Sequence, residues 1–305
     1  MKTVLITGDE HSVPAQYLSQ IRDAGIELTC QKCHSPAEVE AFCQGANLIW
    51  LFGANPGLTG EMLKRLPCCK GIFRSGSGLD TLPTAEAEKL GIEVLNTPES
   101  IAESVAEHAV AMLFALIRRI PQNDRAVRNG KWGGSKEMNW HISGRTLGVV
   151  GYGRIGRNVE RMVSGFRMTV LHHDPFQPDS MELNELLKQS DYVSLHCPLT
   201  PETRGLIDAR RLALMKPHAL LVNTSRGPVV DEEALVAALK KHEIGGAALD
   251  VLCEEPPPKD HPLFGLENVI LSPHIAAFSA DFEKNFWSCS ARKIIDTARR
   301  WEKKA

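Results

Sequence analysis

Three short segments of this chain set a strong polar group directly after an apolar run. They are Asn223-Thr224-Ser225-Arg226-Gly227, Asp250-Val251-Leu252-Cys253-Glu254-Glu255-Pro256 and Ser272-Pro273-His274-Ile275-Ala276. The preceding runs read as strands, and open α/β sheets bind ligands beyond the carboxyl ends of their strands. An arginine, a glutamate and a histidine therefore follow successive strands of one sheet. A planar guanidinium suits two-point recognition of a carboxylate. An imidazole, with an unperturbed pKa of ~6.5, suits donating and removing a proton near neutrality. A neighbouring carboxylate can hold that imidazole in place and favour its charged form. Each residue alone also has a plain structural reading: surface ion pair for Arg226, solvated loop charge for Glu255, satisfied core histidine for His274.

A fourth feature uses bare backbone. Thr146 to Met162 reads TLGVVGYGRIGRNVERM: an apolar strand, then Gly151, Gly153 and Gly156 as G-x-G-x-x-G, then a helical stretch from Arg154. One glycine makes the tight turn, one lets backbone approach a pyrophosphate, and one lets helix pack on strand. The helix N-terminus offers N–H groups and a partial positive charge to that pyrophosphate. A second strand, Met168 to His173, leads to Asp174, close to the spacing at which a carboxylate meets the adenosine ribose. Together these predict a dinucleotide site.

The elements that must position these groups alternate along the whole chain, the pattern of a parallel α/β architecture. Val4 to Thr7, Ile26 to Cys30, Leu48 to Phe52, Gly71 to Arg74 and Ile92 to Asn96 are expected strands of a first unit. Ser35-Pro36 and Thr59 are helix starts within it. Ser100 and Glu103 are spaced as a capping box for a long helix with an apolar stripe from Ile101 to Ile117, and Pro121 is expected to stop that run. The stripe could pack between domains or against a second subunit. From Thr146 a second α/β unit follows, with strands near Tyr192 to His196, Ala219 to Asn223, Gly245 to Val251 and Asn268 to Leu271. The expected division is residues 1–98 with 279–305 as a discontinuous substrate-binding domain, and 99–278 as a nucleotide-binding domain, with the active site in the cleft.

At 305 residues, 43% hydrophobic and 24% charged, the chain suits two soluble domains. A net charge of -2 gives no electrostatic reason to expect nucleic acid or an anionic membrane. The N-terminal apolar stretch is too short for a signal peptide and no membrane span is apparent, so a cytoplasmic location is expected. Eight cysteines without regular spacing fit reduced thiols. Cys30-Gln31-Lys32-Cys33-His34 matches the haem-attachment pattern C-x-x-C-H, but it sits where a strand gives way to a helix. Zinc would need a second pair at ligand spacing, and Cys68-Cys69 are adjacent, so no metal site is expected.

Taken with GYGRIG and HAVAML, the segments NTSRG, DV…EEP and SPHIA make the chain resemble the D-isomer-specific 2-hydroxyacid dehydrogenases along essentially its whole length. The resemblance implies hydride transfer between NAD(H) and C2 of a small 2-oxo or 2-hydroxy acid. It also implies a typical homodimer, paired through the nucleotide domains. Arg226 would grip the substrate carboxylate and polarise the 2-oxo group, His274 would exchange the proton, and Glu255 would orient His274. Ser77 and Gly78, in the glycine-rich loop from Arg74 to Asp80, would face the substrate carboxylate. Arg154 and Ile155 would line the pyrophosphate, and Cys197, Pro198 and Thr203 would flank the adenosine. Thr224, Ser225, Arg226, Asp250, His274, Ala276 and Ala277 would surround the nicotinamide, with Ser104 a further cofactor contact. Asp174 favours NAD over NADP, although Arg157, His172 and His173 stand nearby. The loop from Leu51 to Gly57 lacks the cation of the phosphoglycerate branch, and no regulatory extension follows Ala305; both point to a smaller or more apolar acid. Phe278, Phe282, Phe286 and Trp287 could wall such a pocket or belong to the core. Two alternatives stay open: an NAD(H)-sensing scaffold like the C-terminal-binding-protein corepressors, and a dehydrogenase of another small acid such as formate or phosphite.

Overall fold

Short apolar runs bounded by turn residues become parallel strands throughout the computed structural model, which describes residues 1–133 and 141–303. Two units result, one of Met1–Ile101 with Ser279–Ala305 and one of Ala102–Phe278. The first contains β1 (Lys2–Leu5), α1 (Ala15–Asp23), β2 (Glu27–Cys30), α2 (Pro36–Phe42), β3 (Leu48–Leu51), α3 (Gly60–Leu63), β4 (Gly71–Arg74), α4 (Thr84–Lys89) and β5 (Glu93–Asn96). Its sheet runs β2-β1-β3-β4-β5, parallel throughout. All four β3 residues are buried, as a parallel sheet covered on both faces requires. Ser35 and Thr59 cap α2 and α3, accepting from Glu38 N and Met62 N at 3.3 Å.

The C-terminal helix, Phe282–Glu302, belongs to this first unit. Phe286 and Trp287 lie in a buried cluster with Leu5, Trp50 and Phe73, so they are core rather than pocket wall. Trp50 stacks on Phe73 and meets Trp287 edge-on, each with centroids 6.2 Å apart. Phe278, in contrast, is exposed.

The second unit contains α5 (Ala102–Ile117), α6 (Ile120–Arg128), β6 (Thr146–Val150), α7 (Arg154–Val163), β7 (Thr169–His173), α8 (Leu183–Gln189), β8 (Tyr192–Leu195), α9 (Ala209–Leu212), β9 (Leu220–Asn223), α10 (Glu232–Lys240), β10 (Gly246–Leu249) and β11 (Val269–Leu271). The order is β11-β10-β9-β8-β6-β7, again parallel. The connections reverse direction at β6, the switch point where such sheets open a crevice. One register row joins His173, Val150, Leu195, Asn223, Leu249 and Leu271. The next residue of each strand, Asp174, Gly151, His196, Thr224, Asp250 and Ser272, therefore lies along one carboxyl edge.

Two local expectations are corrected. Ser100 spends its hydroxyl on the Thr97 carbonyl at 2.7 Å inside a 3-10 turn, Pro98–Ser100, and the long helix starts only at Ala102. Pro121 opens a further helix, α6, in its first turn, after Arg119 reverses the chain at φ 50°. Much of the α5 stripe packs within its own unit: Ala106, Ala109, Leu113 and Leu116 lie with Val149, Val222 and Ala248 of the sheet. Among the described residues no helix is long and apolar enough to cross a membrane.

Candidate functional site

The glycine turn follows β6 with Gly151 at φ +90°. A Cβ there would run into the backbone of Cys197, and one on Gly156 into the Gly151 carbonyl. Both glycines are thus demanded by close backbone approach. Gly153 differs: its Cβ direction is open, and it begins α7 with no side chain capping the helix. Backbone N–H groups at the α7 terminus are left for an anion, with Arg154 exposed and Ile155 half-buried in the first turn.

Asp174 is folded against this turn. One carboxylate oxygen accepts from Tyr152 N at 2.8 Å and the other from Phe176 N at 3.0 Å. Tyr152 stacks on His172 at 3.9 Å, carries the Arg157 guanidinium over its ring at 4.6 Å, and donates its hydroxyl to Glu160. The hydrogen bond to Glu160 pushes the Tyr152 phenol up to about 12. On the next strand end, burial pushes His196 down to about 4 and the Cys197 thiol up to about 11, so both are neutral near pH 7. Thr203 closes the following loop by donating to the Pro198 carbonyl at 2.6 Å. Ser104 is half-buried in the first turn of α5.

After β9, β10 and β11 the polar groups are built into rigid turns. Asn223 accepts from Ser225 N and Oγ at 3.0 and 2.9 Å and donates to the Arg226 carbonyl at 2.9 Å. That bracket sets Arg226 at the head of a 3-10 turn, where Gly227 is required because a Cβ would strike Leu252 backbone. Thr224 Oγ1 is buried with no hydrogen-bond partner among the described residues. Glu255 accepts from Leu252 N at 3.0 Å through one oxygen and faces His274 Nδ1 at 2.6 Å with the other. His274 itself is left-handed, φ +54°. Asp250, 1% exposed, holds it there. Its carbonyl accepts from His274 N at 2.8 Å, and its carboxylate accepts from Ile275 N at 3.0 Å and Ala276 N at 2.9 Å. Ala277 follows, half-buried. A cavity of about 440 Å³ opens beside the pair, walled by Pro256, Pro257, Phe264, Leu271 and Pro273.

In the first unit, the loop after β4 turns at Gly76, φ +97°. Thr97 Oγ1 accepts from Gly76 N at 2.9 Å, and Asn96 donates to the Ser77 carbonyl at 2.9 Å. Trp50 donates to Ser75 at 2.8 Å, and Ser75 bonds Ser290 at 2.7 Å. Ser77 and Gly78 are half-buried on that pinned loop.

Sequence reasoning missed three side chains in contact with the site: Asn223, Ser272, which donates to Asp250 at 2.6 Å, and on α5 His108, 3.0 Å from Ser272. All three stood inside the motif segments, His108 as the first residue of HAVAML, but nothing marked their side chains as braces. A dinucleotide fits these residues: an uncapped helix terminus, an open glycine flank, a carboxylate on the next strand and an orphaned buried hydroxyl.

Known proteins resemble this chain in sequence and fold. The family model for the NAD-binding domain of D-isomer-specific 2-hydroxyacid dehydrogenases matches residues 110–276. A glyoxylate reductase of Korarchaeum cryptofilum is 42% identical over 252 residues, 77% of this chain and 75% of the relative. A D-3-phosphoglycerate dehydrogenase of Methanocaldococcus jannaschii is 39% identical over 79% of this chain, which spans about half of that longer relative (48%). Among solved structures, D-lactate dehydrogenase from Aquifex aeolicus with NAD and lactic acid superposes with a TM-score of 0.85 at 29% identity, covering 97% of this chain and 95% of that one.

Proposed function

The chain belongs to the D-isomer-specific 2-hydroxyacid dehydrogenase family, oxidoreductases that move hydride between NAD(H) and C2 of a 2-hydroxy or 2-oxo acid, and we propose that its own substrate is a small acid without a phosphate. The observation that carries the assignment of roles is the 2.6 Å contact between His274 Nδ1 and Glu255, at the sheet edge that also holds Arg226 and the glycine turn. Bound NAD(H) supplies or accepts the hydride. Arg226 binds the substrate carboxylate and polarises the 2-oxo group. His274 donates a proton to the oxygen as negative charge develops there, and removes it in the oxidative direction. Glu255 fixes the imidazole through its contact with Nδ1.

Gly151, Gly153, Arg154, Ile155 and Gly156 hold the pyrophosphate on the α7 terminus, and Asp174 accepts from the adenosine ribose. Cys197, Pro198 and Thr203 border the adenosine. Thr224, Ser225, Asp250, Ala276 and Ala277 frame the nicotinamide, with Ser104 a further contact. Residues 102–278 are the nucleotide-binding unit. The first unit takes the substrate carboxylate on the loop carrying Ser77 and Gly78. Absence of a cation between Leu51 and Gly57 supports an unphosphorylated acid; Asn55 there is occupied with Thr81 and Leu58 carbonyls. The charge of Asp174 supports NAD over NADP. Eight free cysteines support a reducing, cytoplasmic compartment. A homodimer is supported by the exposed apolar residues Ile120, Val127 and Trp132 in and after α6.

The test is a panel of 2-oxo acids, glyoxylate, pyruvate, hydroxypyruvate and 3-phosphohydroxypyruvate, with NADH and with NADPH, followed by nucleotide absorbance. Turnover of the small acids with NADH is expected. Preference for the phosphorylated acid would overturn the substrate assignment, and oxidation of none would overturn the enzymatic one.

A further inference from the structure

Behind the acid–base pair lies a partly buried hydrogen-bond chain whose first two members, His108 and Ser272, have no part in the proposed chemistry. Ser272 Oγ donates to Asp250 Oδ1 at 2.6 Å. His108 Nε2 stands 3.0 Å from the same Ser272 Oγ and 3.6 Å from Asp250 Oδ1. A serine has one proton, and the short contact places it on the carboxylate. The Ser272 oxygen is then an acceptor, so His108 must donate through Nε2–H. The order is fixed: His108 to Ser272 to Asp250.

What Asp250 holds gives the chain its consequence. Its side chain is fully buried (0% exposed), and its oxygens also receive the Ile275 and Ala276 N–H groups, immediately after the left-handed His274. A buried carboxylate that loses a donor loses part of what offsets its desolvation. The loop it clamps is then free to leave a backbone conformation that histidine disfavours. Met112, one turn beyond His108 on α5, lies 3.6 Å from Ser272 and closes the apolar side of the contact.

We infer that His108 is a positioning residue: acting through Ser272 and Asp250, it holds the His274 loop in the geometry that pairs His274 with Glu255. This rests on the assignment of His274 as the proton donor. Leucine at 108 removes the N–H, whereas glutamine carries an N–H at nearly the place of Nε2. His108→Leu should lower kcat about tenfold (about 1.4 kcal/mol) with little change in KM or in the NADH dissociation constant read by fluorescence. His108→Gln should restore most of kcat. Ser272→Ala should resemble His108→Leu, and the double variant should be no worse than either single one. In the protein without nucleotide, imidazole 15N spectra should show Nε2–H on His108 and a changed His274 signal in His108→Leu.

Full kcat in His108→Leu, equal loss in the Leu and Gln variants, additive losses in the double variant, or an unchanged His274 signal would each overturn the role. His274→Ala, measured alongside, separates the two ideas. If it keeps turnover while His108→Leu still moves the His274 signal, the proton-donor assignment fails and the positioning chain stands.

Discussion

His274 carries most of the chemistry at the residue scale and sits in a conformation that costs a non-glycine residue on the order of 1–3 kcal/mol. Asp250 sustains it, through backbone and side-chain hydrogen bonds to the same loop. Replacing His274 by alanine is expected to cut turnover ~10²- to 10⁴-fold. NADH binding, measured by fluorescence titration, should be nearly intact because the nucleotide is held at the glycine turn. Glu255→Gln keeps the shape of the contact and removes the charge. The imidazolium partner of the reaction then loses its counter-charge at unchanged contact geometry, so kcat should fall ~10-fold with NADH binding unchanged. An unchanged kcat would show that the charge across the 2.6 Å contact has no part in the reaction. Asp174→Ala should erode the preference for NADH over NADPH, read as the ratio of kcat/KM values, and an unchanged ratio would remove Asp174 from cofactor selection.

At the scale of elements, two packing events decide whether these residues meet. The first is α7 lying close on β6, which Gly156 permits. Gly156→Ala forces a Cβ onto the Gly151 carbonyl and Val149; overpacking of this kind costs about 1–3 kcal/mol. A lower Tm together with weaker NADH binding is expected. Loss of one without the other would separate packing from the turn. The second is the amino edge of the same sheet, where buried Asp191 accepts from Thr146 N, Lys216 and His218, each at 2.9 Å. Burial works to raise its pKa, yet these hydrogen bonds outweigh it and hold the carboxyl at about 2. A folded-state pKa below the ~3.9 of an unfolded aspartate stabilises the fold above about pH 4, and that contribution is lost as pH falls towards 2. Asp191→Asn should therefore cost on the order of 2 kcal/mol near pH 7 and progressively less in acid. Thermal unfolding at about pH 7 and about pH 3 checks both the size and the sign.

At the scale of the whole molecule, the chain builds one five-stranded and one six-stranded parallel sheet and returns its last helix to the first unit. With much of the α5 stripe packed on its own sheet, α6 and the segment through Trp132 expose Ile120, Val127 and Trp132 for pairing two copies. Sedimentation at micromolar concentration is expected to show twice the monomer mass. Ile120→Asp with Val127→Asp should shift it towards monomer while leaving the fold, read by circular dichroism, unchanged. A monomer alone in the wild-type protein would reject the dimer.

The sequence by itself determined what depends on local spacing. Strand β4 runs from Gly71 to Arg74 as read, α7 starts at Arg154 as read, and Ser35 and Thr59 cap their helices, because apolar periodicity, glycine turns and capping side chains act over a few residues. It also put Arg226, Glu255 and His274 after successive strands, since a parallel sheet with helical crossovers delivers each strand's end to one edge. Pro121 shows the limit of local reading, because proline ends one helix and begins the next with equal ease. Only the tertiary structure decided the rest. Much of the α5 stripe, from Ala106 to Ile117, packs on the sheet beneath it. Phe286 and Trp287 went to the core of the first unit. His108 reached Ser272 across 164 residues of chain. His108 opens HAVAML and Ser272 opens SPHIA, yet nothing in either segment says that the two side chains meet. Such contacts exist only once packing has brought two elements together, when a buried carboxylate takes whatever donors surround it.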